Sequence, residues 1–153
     1  MGVFASQAQA ITSGNIKQLV GEWKGSLTYM DYTTNKAYTL PANLKISQLS
    51  NSHQLIFTNI YPNEPKANDA DTITFAKNGR MIGKEVVRSK TLLPNGNTEI
   101  VTEYVGIDGN ENKPALIRHT YMLGKSIFVK RKEVQFEGTT ELIKRHEYSY
   151  HRK

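Results

Sequence analysis

Residues 20–32, VGEWKGSLTYMDY, alternate from Trp23 onward: Trp23, Gly25, Leu27 and Tyr29 fall on one side of an extended chain, and Lys24, Ser26 and Thr28 on the other. Successive side chains of a β-strand point to opposite faces, so this stretch reads as a strand with one face in an interior and the other in water. The only tryptophan of the chain stands at its mouth. Immediately upstream, Ser13 to Leu19 has room for one or two helical turns behind a serine cap, and no long helical periodicity occurs elsewhere.

Downstream the same period of two recurs, punctuated by turn dipeptides, and nine or ten antiparallel strands follow one another in chain order. A tip at Thr34-Asn35 would pair Tyr29 with Leu40, Leu27 with Ala42, Gly25 with Leu44 and Trp23 with Ile46, collecting the apolar residues on one side. A tip at Asn51-Ser52 continues that face, with Ile46 beside Phe57 and Leu44 beside Asn59. Asn95-Gly96 would pair Arg88 with Glu103 outside and turn Val87, Ser89, Thr91, Ile100, Thr102 and Tyr104 inward. That lining is smaller and more polar than a solid core favours, and implies room for a guest or for water. A meander of this length leaves two exposed edges unless it closes. The expected fold is all-β: a closed up-and-down antiparallel barrel of eight to ten strands, with the short N-terminal helix closing one end. A barrel of about eight strands can hold one small ligand.

The 153 residues amount to one domain, and the absence of cysteine removes disulfides, zinc–thiolate sites and thiol nucleophiles. Ala8-Gln9-Ala10 has the small-x-small form of a signal-peptidase site, so residues 1–12 read as a flexible leader or signal remnant and 13–153 as the barrel, with a secreted or periplasmic location expected and a cytoplasmic one as the alternative. The formal net charge is +6. Residues 1–112 hold ten Lys/Arg against ten Asp/Glu and residues 113–153 hold ten against four, so the excess lies in the last quarter.

With Gly124-Lys125 as a tip, that quarter offers two faces. One holds Arg118, Thr120, Met122, Ile127, Val129 and Arg131; the other holds Ile117, His119, Tyr121, Phe128, Lys130 and Lys132. Lysine prefers water and arginine tolerates paired burial, which places the first set inside, joined by Arg145 and Glu147. The expected ligand-binding residues are then Tyr29, Phe57, Asn59, Ser89, Thr102, Tyr104, Arg118, Thr120, Arg131 and Arg145, the guanidiniums offering a wall for an anionic head group. Tyr121, Phe128 and Tyr148 would face solvent as an aromatic patch suited to a homodimer.

Gly21-Glu22-Trp23, entering the first strand of a meander after a helical turn, resembles the GxW signature of the lipocalins and the wider calycin barrels. Thr102-Glu103-Tyr104 is similar to that family's Thr-Asp-Tyr element, with Glu in place of Asp. The resemblance implies a barrel whose Trp23 packs across the floor against an arginine of the last strand, for which Arg145 is best placed and Arg131 second, and it implies carriage of a small, partly hydrophobic molecule. Trp23 and Gly25 also resemble the opening Gly-x-Trp-x-Gly of the nitrobindin barrels, which would imply haem on an axial His146. Other chemistry finds little support. The histidines, His53, His119, His146 and His151, lack the spacing of a shared metal site, and no nucleophile–base pair, carboxylate pair or phosphate loop stands out, so no cofactor is assigned. An isomerase- or cyclase-like network of Tyr29, Tyr104, Arg118 and Glu147 is the enzymatic alternative. Basic residues interleaved with aromatics raise nucleic acid as a partner, without a recognised binding motif.

Overall fold

Among residues 10–50 and 53–153, which the computed structural model describes, the chain forms one α-helix, α1 (Ser13–Leu19), a 3₁₀ turn (Pro65–Ala67) and ten strands. The strands are β1 (Gly21–Met30), β2 (Ala37–Gln48), β3 (Gln54–Ile60), β4 (Asp69–Thr74), β5 (Met81–Ile82), β6 (Glu85–Leu92), β7 (Thr98–Asp108), β8 (Lys113–Leu123), β9 (Ile127–Phe136) and β10 (Ile143–Arg152). Their lateral order is β4-β3-β2-β1-β10-β9-β8-β7-β6-β5. The meander therefore bends until its first and last strands meet, β1 pairing with β10 from Trp23 opposite Arg152 to Tyr29 opposite His146. One bridge, Phe75 with Ile82, completes the ring, and past it β4 has no outer partner among the described residues. The barrel is nearly closed.

The floor is built around Trp23, only 1% exposed. Its indole N–H donates to the Leu19 carbonyl at 2.8 Å, tying β1 to the end of α1, and its ring meets Phe128 edge-on at 5.9 Å. Thr12 caps α1 in a reciprocal box with Asn15, and Ile16 and Leu19 turn into the core. The arginine against Trp23 is Arg152, 4.1 Å from the ring centroid, not Arg145 or Arg131. Its guanidinium also donates to the carbonyls of Val20 (2.8 Å), Gln18 (2.5 Å) and Lys125 (3.0 Å). A cation at the carbonyl end of a helix and on an indole face is favourable twice over. Gly25 serves the same closure differently, since a Cβ there would lie 1.9 Å from the Ser149 carbonyl oxygen of β10.

The leader expected over residues 1–12 lies largely outside the described residues, but its last part is attached. The Ile11 N–H donates to the Gly79 carbonyl at 2.9 Å, and Lys90 Nζ donates to the Ala10 carbonyl at 3.1 Å. The tip Asn51-Ser52 is likewise outside, yet the register it implies is seen, Ile46 facing Phe57 and Leu44 facing Asn59. At the first hairpin the pairing slips by two, Trp23 facing Leu44 and Tyr29 facing Tyr38, because the turn spans Tyr32 to Asn35, with Asn35 at φ 57°. A slip of two leaves every residue on its expected face.

At Asn95-Gly96 the outcome differs. Pro94 and Asn95 start a turn closed by the Gly96 N–H on the Leu93 carbonyl, with Gly96 at φ 89°, and the pairing moves by one residue. Lys90 then faces Ile100, while Ser89 faces Val101 on the outer side. A bulge between Val87 and Ser89 restores the inner face at Val87, opposite Thr102, and carries Glu85 inward.

Candidate ligand chamber

The barrel interior is a two-part space. Next to α1 lies a small apolar recess of about 60 Å³, among Ile16, Leu19, Ile73, Phe75, Ile100 and Leu123. Above it opens a polar chamber of about 330 Å³, bordered by Asn59, Tyr61, Asp69, Asp71, Tyr104, His119, Lys132, His146 and Tyr148. Phe57, Ile73, Phe128 and Lys130 belong to both parts.

The wall facing β4 is an aromatic column. Phe128 stacks on Tyr150 at 5.8 Å, Tyr150 on Tyr148 at 5.8 Å, and His146 meets Tyr148 edge-on at 5.4 Å. The hydroxyls of Tyr148 and Tyr61 share a hydrogen bond at 2.8 Å. Burial and this contact push the Tyr148 phenol well above its ordinary value, so it stays neutral.

On the opposite wall Glu85 gathers three partners on one oxygen: Thr102 Oγ1 at 2.7 Å, Tyr121 Oη at 2.8 Å and His119 Nδ1 at 2.7 Å. Burial opposes its ionisation, but the contacts from His119 and Thr102 prevail and hold the carboxyl below its usual value. Burial, reinforced by Lys130 and Lys132, keeps His119 below the ordinary histidine value despite the carboxylate. A neutral His119 donates from Nδ1 to Glu85, which leaves Nε2 as an acceptor.

At the far end Asp108 binds Lys132 Nζ at 2.9 Å, Arg145 Nε at 2.9 Å and the Tyr32 hydroxyl at 2.5 Å. The Arg145 guanidinium lies 3.3 Å from the Tyr32 ring centroid. These contacts fasten the β1–β2 loop to the ends of β7, β9 and β10. His146 differs from both clusters, since its Nδ1 is buried without a hydrogen-bond partner among the described residues. Burial, with Lys130 and Lys132 nearby, lowers its pKa to about 4.

Of the expected ligand-binding residues, Phe57, Asn59 and Tyr104 border the chamber, and Thr102 lies buried beneath it against Glu85. Tyr29 stands at the far rim, 38% exposed, beside Tyr32 and Arg145. Ser89 is turned away by the shifted register. Arg118, Thr120 and Arg131 occupy the outer face: Arg118 binds Glu103 at 2.9 Å, Arg131 lies 3.5 Å from Glu133, and Thr120 sits between Val101 and Arg131. Arg145 is drawn to Asp108 at the rim, and Glu147 pairs with Lys144 outside at 3.4 Å.

The two faces of β8 and β9 are thus reversed from the sequence reading: Ile117, His119, Tyr121, Phe128, Lys130 and Lys132 point in. The solvent preference of lysine is a local rule, overridden here by carboxylates from distant strands, Asp108 for Lys132, and Glu85 and Asp71 for Lys130. The same reversal removes the aromatic outer patch, as Tyr121, Phe128 and Tyr148 are interior. It also separates Tyr104, inside, from Arg118 and Glu147, outside. The proposed acid–base set is not assembled, and Glu85, His119 and Tyr121 form the internal network instead. Sequence reading missed Glu85, Asp108, Lys130 and His119 as interior groups and Asp71 at the chamber's border; the available signal was the number of large apolar residues alternating with the lysines.

The fold and its chamber define a class: a nearly closed ten-stranded barrel around a ligand-sized, partly polar interior. No family model and no curated protein matches the sequence. Among solved structures the chain is similar to Rv2717c from M. tuberculosis, with a TM-score of 0.55 at 12% identity over 95% of this chain and 99% of that one. It is also similar to a DUF3598-family protein of unknown function from Nostoc punctiforme, with a TM-score of 0.56 at 15% identity. That match covers 98% of this chain and 54% of the other, so the chain spans about half the length of the Nostoc protein. Likeness at these identities is likeness of fold. No helix among the described residues is long and apolar enough to cross a membrane.

Proposed function

We propose that this barrel binds and carries a small amphipathic molecule. The observation that carries the reading is the division of the interior into an apolar recess and a polar chamber that share Phe57, Ile73, Phe128 and Lys130. A short apolar tail enters the first and a polar head the second. Recess and chamber together lie near the lower end of ligand-pocket sizes, about 300 to 1,000 Å³. The charge balance decides the kind of head group. Four carboxyl groups, Glu85 and Asp108 within the barrel and Asp69 and Asp71 exposed at the chamber's border, face Lys130, Lys132 and Arg145, and the two histidines are held toward neutrality. With Arg118 and Arg131 outside, nothing favours an anionic head over a carbonyl or hydroxyl. Titration calorimetry with 1-hexanol and hexanoate tests this: hexanol should bind at least as tightly, and Ile73→Trp, which fills the junction, should weaken it at least about tenfold. Tighter binding of hexanoate would overturn the head-group assignment, and no binding of either would overturn carriage.

A second reading has its own observation, the partnerless Nδ1 of His146 beside the chamber. An uncharged imidazole with an unpartnered nitrogen is suited to hold a haem iron, which would supply redox and gas-binding chemistry. A Soret band on titration with haemin, lost in His146→Ala, supports it, and an unchanged spectrum disposes of it.

A further inference from the structure

We propose that Lys130 is a nucleophilic amine that captures small apolar aldehydes or ketones as imines, an inference that rests on the chamber being a ligand site. Lys130 stands where the recess meets the chamber, so its Nζ faces the point at which an amphipathic guest changes from tail to head. Part of its surface is free, but that surface faces the cavity. It makes no hydrogen bond or ion pair among the described residues, and its Nζ lies over the Tyr121 ring, 5.7 Å from the centroid. Three of the neighbouring charged groups are engaged elsewhere, Lys132 with Asp108, Glu85 with His119, Tyr121 and Thr102, and Asp69 with Asn59 at 2.7 Å, while Asp71 acts on Lys130 only at longer range. An interior amine held only by the longer-range field of Glu85 and Asp71 and the Tyr121 face, with no hydrogen bond or ion pair among the described residues, costs stability, which argues against a structural role.

The surroundings also prepare the group for attack. Burial lowers the Lys130 pKa and Lys132 lowers it further, while Glu85 and Asp71 oppose the change. A larger share of uncharged amine follows, and only that form is nucleophilic. The chemistry is self-contained. The nitrogen lone pair forms a C–N bond to the carbonyl carbon, the carbonyl oxygen gains protons as the nitrogen loses them, and one water leaves, giving C=N with no change of oxidation state. Glu85 and Asp71 would stabilise the protonated imine, and the apolar recess would hold the tail.

Hexanal with sodium cyanoborohydride tests the idea. The reagent adds hydride to the imine carbon while nitrogen takes a proton from solvent, fixing a secondary amine that peptide mass mapping locates. At one equivalent of hexanal, Lys130 should be alkylated at least about tenfold faster than the outward Lys24 and Lys45, excess 1-hexanol should suppress that fast reaction, and Lys130→Met should remove it, leaving only the slow alkylation of the other lysines. Alkylation spread evenly over the lysines, in a protein that binds hexanol, would overturn the imine and leave carriage standing. Failure of wild-type protein to bind hexanol would remove both. Because the mapping is done on wild-type protein, the conclusion does not depend on the variant folding.

Discussion

Arg152 is one residue from the end of the chain, yet it does the closing work that the family resemblance led us to expect of Arg145. Four groups converge on it: the indole of Trp23 and three carbonyl oxygens. Arg152→Ala should lower unfolding stability by about 2 to 4 kcal/mol, measured by urea titration followed through Trp23 fluorescence. Arg152→Lys keeps the charge but not the planar fork, and should recover less than half of that loss. Lys130 behaves in the opposite sense. Replacing an interior ammonium that has no hydrogen bond or ion pair among the described residues by an isosteric apolar side chain removes a desolvation cost, so Lys130→Met should raise stability by about 1 kcal/mol or more; a lower melting temperature would show that the field of Glu85 and Asp71 compensates its charge.

At the scale of strands, the decisive position is the β1–β10 contact that closes the meander. A methyl group at residue 25 meets backbone, the Ser149 carbonyl oxygen and the Tyr150 Cα, neither of which can rotate away. Gly25→Ala should therefore cost about 3 kcal/mol or more, and amide exchange should accelerate along β1 and β10 before it does along β7 and β8. This strand also shows how far the sequence could be read. Alternation from Trp23 to Tyr29 gave the inner face correctly, because a register error of two does not change faces. The β6–β7 pair was not legible in that way. One residue of turn geometry around Pro94 and a bulge near Arg88 decide which side Ser89, Lys90 and Glu85 occupy, and neither leaves a mark in the hydrophobic pattern. On β8 and β9 both faces hold apolar residues and cations, so the choice between them depends on Asp108, Glu85 and Asp71, carboxylates brought near only by closure. The barrel was legible from local alternation, whereas the polar lining was set by long-range pairing.

For the whole molecule, the interior charge pattern makes stability depend on pH in a definable window. His146 titrates near 4 when folded against its ordinary 6.5, and His119 is shifted in the same direction. Below 6.5 the unfolded chain takes up protons that the folded barrel refuses, so stability falls as pH drops toward 4, by up to about 3 kcal/mol for His146. Glu85 and Asp108, both held below their usual values, act in the same sense: their contribution is complete above the unfolded carboxyl pKa and lost as pH falls through the folded one. Urea titrations at intervals between pH 7.5 and pH 4 should show this decline, and His146→Phe should flatten it between about 6.5 and 4; parallel curves for the two proteins would rule His146 out as its source.

The unpaired side of β4 carries a cost of a different kind. Its backbone donors and acceptors form a ready template for a strand from another molecule, the first step of polymerisation. Asp69 and Asp71, alternating along that strand, bring two negative charges that repel an identical segment arriving in register. The carboxylates that make the chamber polar thus also keep the molecules apart, and the Asp69→Asn, Asp71→Asn double variant should scatter light at concentrations where the parent solution stays clear.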